Sequence, residues 1–564
     1  MSNAVNNRRD SSILYSRVSI LILISSSLIL YNSFFNNYIF NGIILFNGLL
    51  CIENYTIVFA LFIFILSILI ISINSVFPIK KIKYIDFNNV LHFFKSLNKK
   101  SIYNIFDSSS NYKYDFNNSI IRNNMSEQYR IIEYPMIILF CITGAIFLIS
   151  SFDIISIFLA IELQSYALYL ICSIYRNSES SISAGLTYFL LGGLSSCIIL
   201  LGISLLYINS GTTSLENIYI INNISDIFTY SLLYDNSLSE YVINNNYIFV
   251  MDIFSSIFSQ YLYLQISLVI LSVGFLFKIS SAPFHFWSPD VYDAVPTIVT
   301  TFIAIIPKIS ILIFLYKLIY YTSSDIISLS WVNNIIISSI LSLIIGSILG
   351  LTQYRIKRLF AYSTISHLGF ILLGLSINNT ESSKAMFFYI IQYSVSNLNA
   401  FIILIAIAYT LRELVLNNNN INIKDTNYSP IQLISQLKGY FNINPIISIS
   451  LAITLFSFAG VPPLMGFFGK QMILSAAINN GFIFTTFIAI LTSVISAVYY
   501  LIIIKIMFFE KSDYILNNNY LINSKFKDNH VISSYFSFII STLTLLISLF
   551  MFFDEEILRL ISII

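Results

Sequence analysis

Apolar stretches of about 18 or more residues, long enough to cross a bilayer as helix, recur from one end of this 564-residue chain to the other. That repetition leaves an all-α polytopic membrane protein as the fold class. Charge confirms the solvent: only 10% of residues are charged and 57% are hydrophobic, against roughly 25% charged in a soluble domain. About thirteen transmembrane helices are expected, near 13–32, 55–78, 134–151, 154–175, 184–207, 264–282, 294–320, 333–351, 357–376, 384–412, 446–479, 482–508 and 532–553. The apolar segment 38–51 is too short to span and reads as interfacial.

The connections carry the topology. About nine Lys or Arg fall in 79–131, among them Lys80, Lys81, Lys83, Lys99 and Lys100, which should keep that loop inside. The 208–246 connection has no Lys or Arg but holds Glu216, Asp226, Asp235 and Glu240, and is expected outside. With thirteen crossings, Arg8, Arg9, Arg355, Lys357, Arg358, Lys511, Lys525 and Lys527 all fall on the side of the first loop. The third long connection, 413–445, contains the solvated run Asn417 to Asn420.

Several function classes drop out. A net charge of +2 with no basic, aromatic-rich patch argues against nucleic acid. Cys51, Cys141, Cys172 and Cys197 are scattered, whereas iron–sulfur and structural zinc sites need clustered thiolates. No Gly-rich loop follows a strand, so no nucleotide or flavin site is expected in this chain. Ile, Asn, Phe, Tyr and Ser are abundant, and the A/T-rich codons of several of these suit an organellar gene. Met1 to Asp10 is polar and lacks both a secretory h-region and an amphipathic presequence.

Two spans look discontinuous. One passes through Phe277-Lys278-Ile279-Ser280-Ser281-Ala282-Pro283-Phe284-His285, the other through Ala459-Gly460-Val461-Pro462-Pro463-Leu464-Met465-Gly466 to Lys470. Proline inside a helix removes a backbone donor and clashes with the preceding turn. Freed carbonyls at membrane depth are tolerated beside protein or a wet cavity, and transporters use such breaks as polar centres. Pro283 could also simply end its helix. The second break is the stronger, because apolar sequence continues on both sides.

Four ionisable residues lie in these spans: Glu162, Lys278, Lys308 and Lys470. An ion at a helix centre costs about 2.5–3.5 kcal/mol on insertion scales, so each needs a reason to persist. A buried lysine beside a carboxylate can exchange protons as its partner moves, which is what a relay requires. The alternatives are structural: Lys278 could snorkel from a span end, Glu162 could serve a hydrogen bond, and Lys308 and Lys470 could form static ion pairs. Lys505, nearer an end, divides evenly between snorkelling and function. His367, in a polar stretch opening an apolar span, is a relay candidate or a packed hydrogen-bond partner. His285, beside a break, divides between capping and relay. His92 and His530 lie in loops and are assigned nothing.

Taken together these motifs resemble a known family. Phe277-Lys278, Ala282-Pro283-Phe284-His285-Phe286-Trp287-Ser288-Pro289-Asp290-Val291-Tyr292, Pro307-Lys308-Ile309, Arg358-Leu359-Phe360-Ala361-Tyr362-Ser363-Thr364-Ile365-Ser366-His367, and Gly-x-Pro-Pro-x-x-Gly-Phe-x-x-Lys at 460–470 follow in order. They look like the antiporter-like proton-translocating subunits of respiratory complex I, a family shared with multisubunit sodium/proton antiporters. Glu162 in Ile161-Glu162-Leu163 matches its intramembrane glutamate. The match spans roughly 132–510, and loop lengths and composition look most like a fungal mitochondrial member.

The resemblance implies an antiporter-like fold of two inverted five-helix repeats, each with one broken helix. It divides the chain into N-terminal helices with a basic matrix-side loop (1–131), a first repeat (132–320), a second repeat (321–510), and a C-terminal loop and helix (511–564). It further implies a hydrophilic axis of Glu162, Lys278, Lys308 and Lys470, with His367 and Lys505 weaker members. Residence in the mitochondrial inner membrane follows, with the N-terminus on the matrix side. Other complex I subunits would be the partners, notably neighbouring antiporter-like and small membrane-arm subunits, and these would carry NADH, flavin, iron–sulfur clusters and ubiquinone. The lipid bilayer is the remaining partner; no metal or cofactor is expected in this chain.

Two departures stand out. Thr187 replaces a lysine found in many relatives, which puts any charged role there in doubt. The family usually has fourteen helices, and the shortfall falls at the N-terminus, through a truncation or an upstream start. Two rival readings remain: a free-standing cation/proton antiporter, which would show sodium-dependent proton flux alone, and a non-pumping scaffold of the membrane arm, in which paired neutralisation would leave pumping intact.

Overall fold

Satisfying every backbone group inside the segment itself is what makes these stretches helical. The computed structural model describes residues 11–34, 42–75, 79–81, 133–175, 178–223, 247–322, 331–415, 431–511, 530–532 and 534–552. In chain order the helices are α1 (Ser11–Phe34), α2 (Asn54–Ser75), α3 (Glu133–Ser150), α4 (Ile154–Ser173), α5 (Glu179–Ser210), α6 (Tyr247–Ile279), α7 (Trp287–Ala294), α8 (Thr297–Thr322), α9 (Val332–Leu351), α10 (Ile356–Ile377), α11 (Thr380–Val415), α12 (Pro445–Ala459), α13 (Met465–Asn479), α14 (Ile483–Phe509) and α15 (Ser534–Ser548). Among the described residues, 11 helices are long and apolar enough to cross a membrane, and α12 and α15 are shorter apolar helices. The expected spans therefore all have counterparts, 446–479 as the pair α12 and α13.

The centre is α8, with α3 and α11 against it. The apolar window of α8 is 100% buried and those of α10 and α11 are 94% buried, whereas α5 and α14 bury 28% and 33% and face outward. Without a hydrophobic force between helices in lipid, close contact comes from small residues. Gly369 of α10 lies against Ser342 and Leu343 of α9, and Gly346 of α9 against Ser366 and Tyr362 of α10, so these two helices approach at glycine distance. Gly144 does the same for α3 on α4, and Gly202 for α5 on α6.

The described part of the segment expected to lie in the interface, from residue 42 on, is a hairpin, β1 (Ile43–Leu45) paired antiparallel with β2 (Leu50–Ile52). Leu50 bridges Ser151 in the α3–α4 turn, and Asp153 of that turn bridges Ser214 after α5. Asp153 also caps α4, accepting from the Ile155 N–H at 3.5 Å. All these turns sit at one end of the bundle. At the other end β3 (Ile79–Lys81) pairs with β4 (His530–Ile532), joining the connections the charge pattern assigned to one side. Lys83, Lys99, Lys100, Asp226, Asp235, Glu240, Lys525, Lys527 and Asn417 to Asn420 lie outside the described residues, as do Arg8, Arg9 and His92.

Both expected breaks are present. After α6, Ser280 takes a positive φ of 67° and the Ser281 N–H returns to the Leu276 carbonyl at 3.1 Å, closing the helix end. Pro283 then follows, so it does end α6, but the chain resumes helix as α7 within the same bundle. Trp287 fixes that short helix: its ring stacks on Tyr188 of α5 at 4.5 Å and its Nε1–H donates to the Phe277 carbonyl at 3.0 Å. In the second break α12 ends at Gly460 with φ +86°, and α13 starts after Pro462-Pro463. Gly466 is required there, because a Cβ would stand 1.7 Å from the Ser457 carbonyl oxygen.

Candidate functional site

The polar side chains of the interior fall into three connected groups. In the first, Lys278 at the end of α6 donates from Nζ to Glu162 Oε1 of α4 at 3.2 Å, with side chains 7% and 13% exposed. Two residues on, Gln164 exchanges hydrogen bonds with Ser310 of α8 at 2.9 and 3.2 Å, tying the pair's helix to the central one.

Lys308 heads the second group. Pro307 immediately before it lacks the N–H that would serve the preceding turn, and the Tyr393 hydroxyl of α11 donates to the Ala304 carbonyl there at 3.0 Å. Lys308 is 2% exposed, donates to Thr364 Oγ1 of α10 at 3.1 Å, and faces the Tyr292 ring of α7 at 5.6 Å. It makes no ion pair among the described residues.

The third group surrounds the second break. Lys470 of α13 donates to the carbonyls of Phe458 at 2.8 Å and Ala459 at 3.0 Å, the last of α12. Those carbonyls are orphaned because the helix stops, and they carry the negative end of its dipole, so a cation belongs there. The Phe370 ring lies 5.5 Å from the same Nζ. His367, three residues beyond Thr364 on α10, stands between Lys308 and Lys470. Its Nδ1 pairs with the Tyr389 hydroxyl at 2.8 Å, its Nε2 with the Tyr500 hydroxyl at 3.3 Å, and its ring packs 5.2 Å from Phe458.

Glu162 and Lys278 are thus tied to the helix of Lys308 through Gln164 and Ser310, Lys308 to the helix of His367 through Thr364, and Phe458 touches both His367 and Lys470. Lys505 is not among them: it sits on the exposed face of α14, on the outer surface and away from the axis. Thr187 lines a separate cavity of about 440 Å³ with Asp290, Asp293, Arg355 and Arg358. His285 is buried in the first break with its Nδ1 unpartnered among the described residues.

Three features were not foreseen from the sequence. Lys357 is 2% exposed and donates to the Val295 carbonyl at 2.6 Å, the C-cap of α7. With Arg355 and Arg358 paired to Asp293, and Arg358 to Asp290 at 2.7 Å, it clamps α7 to the start of α10. Asn397 and Asn399 of α11 are 0% exposed with side-chain amides that find no partner among the described residues. Lys317 is 1% exposed near the end of α8. Apolar-span amides carry no formal charge, and a lysine near a span end looks like a snorkelling residue, so neither signals itself.

Comparison with known proteins places the chain in a family. The family described as NADH:quinone oxidoreductase/Mrp antiporter, TM, matches residues 151–496. The chain is 43% identical over 507 residues to NADH-ubiquinone oxidoreductase chain 2 of Rhizopus oryzae, covering 90% of this chain and 83% of that one. It is 33% identical over 383 residues to NADH-quinone oxidoreductase subunit N of Rhodospirillum rubrum, covering 67% and 68%. Among solved structures, a chain of respiratory complex I from Thermus thermophilus superposes with a TM-score of 0.65 at 20% identity, over 97% of this chain and 94% of that one. A chain of the Mrp complex from Dietzia gives 0.66 at 15% identity, over 98% and 92%. At those identities the structural likeness speaks for the fold.

Proposed function

Since the chain belongs to the NADH:quinone oxidoreductase/Mrp antiporter family, with a chain 2 relative matched over 90% of its length, we propose that it is a proton-translocating membrane-arm subunit of NADH:ubiquinone oxidoreductase. The observation that carries this is the series of interior polar contacts Glu162–Lys278, Lys308–Thr364, His367–Tyr389 and Lys470–Phe458. Each cation in it has a different partner: a carboxylate, a hydroxyl, a pair of helix-end carbonyls. Charge can therefore move along the series without any one lysine being locked.

Elementary electrostatics sets the scale. Two unit charges on neighbouring helices, 8–10 Å apart, interact by about 2 kcal/mol at an effective dielectric near 20. That changes a proton equilibrium roughly thirtyfold, since 1.4 kcal/mol is a factor of ten. Opening the Glu162–Lys278 pair exposes a positive charge toward Lys308, which then sheds its proton more readily. Removal of charge at Lys308 in turn favours a proton on His367 or Lys470. Thr364 and the Tyr389 and Tyr500 hydroxyls can pass a proton along, because each both donates and accepts.

Electron transfer is read as the work of partner subunits holding NADH, flavin, iron–sulfur clusters and ubiquinone. Supporting this, the four cysteines lie on four different elements, β2, α3, α4 and α5. The units 132–320 and 321–510 are taken as the two antiporter-like repeats, since α3–α8 and α9–α14 each place a broken helix fourth among five spans. The location is read as the mitochondrial inner membrane, from the chain 2 relative, with the β3–β4 side toward the matrix.

The test is neutralisation in the assembled complex. Lys308→Met and Glu162→Gln should each assemble, by native electrophoresis, and lose pumping coupled to NADH oxidation by about tenfold or more. Normal oxidation with normal pumping in both variants would remove their assigned roles.

A further inference from the structure

Lys317 takes no part in the axis, yet it is as buried as any member of it. It lies nine residues beyond Lys308 on α8, about 13 Å further along at 1.5 Å per residue. Its Nζ donates to the Ser151 carbonyl at 2.9 Å and lies 4.9 Å from the centre of the Phe152 ring. It makes no ion pair among the described residues. A carbonyl and a ring face offer a cation only partial charges, and an ionisable group kept in a membrane helix on such terms points to function.

The β1–β2 hairpin roofs this lysine. Leu50 bridges Ser151, the Phe152 N–H donates to the Leu49 carbonyl at 3.0 Å, and Ser156 Oγ donates to the same carbonyl at 3.0 Å. The hairpin runs directly into Cys51 and Glu53, the charged or ionisable groups of other elements whose fields act on Lys317. Cys51 Sγ donates to Glu53 Oε1 at 3.4 Å. Burial pushes the Cys51 thiol up to about 12, against the opposing pull of Lys317, so it stays a neutral donor. Glu53 is half-buried at the rim, and Glu216, Tyr55 and Tyr321 are the other titratable groups around it and Cys51.

We propose that Lys317 and Glu53 form a proton station that connects the axis at Lys308 to the aqueous face at the hairpin end. The ammonium of Lys317 gives one N–H proton, through an intervening water, to the Glu53 carboxylate. The products are a neutral amine and a carboxylic acid. Glu53 then ionises into solvent, and Lys317 regains a proton from the axis. No electron moves. This rests on the proton-carrying reading of the axis.

The experiment uses the assembled complex in sealed vesicles, with Lys317→Gln, Lys317→His, Glu53→Gln and Lys308→Met. Glutamine keeps a donor for the Ser151 carbonyl but carries no proton, so Lys317→Gln should assemble and lose about tenfold or more of coupled pumping, as should Glu53→Gln. Histidine carries a proton with an ordinary value near 6.5, so Lys317→His should pump with the alkaline limb of its pH profile moved down by about one unit or more. Wild-type pumping in Lys317→Gln, or an unshifted profile in Lys317→His, would overturn the station and leave Lys317 a pin for the α3–α4 turn. Wild-type pumping in Lys308→Met would overturn the axis itself, a separate result.

Discussion

At the scale of single residues, the pair Glu162–Lys278 invites the sharpest energetic test. Removing one member of a buried pair strands the other, which costs about 3–5 kcal/mol, while removing both is often near neutral. Glu162→Gln should therefore lower the thermal stability of the purified complex more than Glu162→Gln combined with Lys278→Met. A double-mutant cycle with no coupling would show the 3.2 Å contact to be energetically idle. Each of these side chains could be picked out of the sequence as a charge in an apolar run. Their pairing could not, because 116 residues separate them and only the packing of α4 and α6 on the shared helix α5 brings them together. Lys505 and Lys317 show the converse. Both stand toward the end of a span, where a long amphipathic side chain reads the same whether it reaches outward or inward. Lys505 points to the surface, while Lys317 is sealed beneath a hairpin that an apolar run of that length does not announce.

Helices, breaks and turns carry a different kind of information. Proline and glycine at 460–466 made the second break readable in advance, since their chemistry forbids a continuous helix. What the residues do not state is that the break serves Lys470, by leaving the Phe458 and Ala459 carbonyls free for it. Gly466→Ala should push Ser457 and the end of α12 away, costing about 1–3 kcal/mol as an overpacking change. The expected readout is a lower melting temperature together with reduced pumping; unchanged values for both would show that the break tolerates a side chain. The clamp on α7 makes a second case at this scale. Asp293, whose side chain is 8% exposed, accepts from both Arg355 and Arg358. Asp293→Asn should loosen α7 and weaken the Trp287–Tyr188 stack, seen as faster tryptophan quenching by lipid-soluble quenchers. The arginines are 50% and 39% exposed, so solvent screening should hold the stability loss to about 1 kcal/mol.

For the whole molecule, alternation of turns fixes which groups share a face. Ser180, in the first turn of α5, sits with Asp293 and Arg355 around one cavity, and Glu216, after α5, sits beyond the Asp153–Ser214 bridge at the opposite end. Cysteines placed at positions 180 and 216 should react with a membrane-impermeant maleimide from opposite sides of sealed vesicles. Labelling of both from one side would break the thirteen-crossing topology. Sidedness is the part read from loop Lys and Arg, which decide orientation; the crossings were legible from apolar length. The hairpin and the β3–β4 pairing were not, since both are short and depend on partners far along the chain.

The central position of α8 also has a consequence in time. Its window is 100% buried, and it carries Lys308 and Lys317, yet α11, one of the helices that cover it, begins only at Thr380. During synthesis α8 leaves the ribosome before that cover exists, and Lys308, whose Thr364 partner lies on the later α10, is a cation that lipid accepts only at about 2.5–3.5 kcal/mol. Membrane integration of this chain is then deferred rather than sequential: α8 has to be held in a polar, protein-lined berth until α9, α10 and α11 have arrived. A nascent chain arrested before α11 should crosslink through α8 to the insertion machinery, and release of that crosslink should coincide with the emergence of α11.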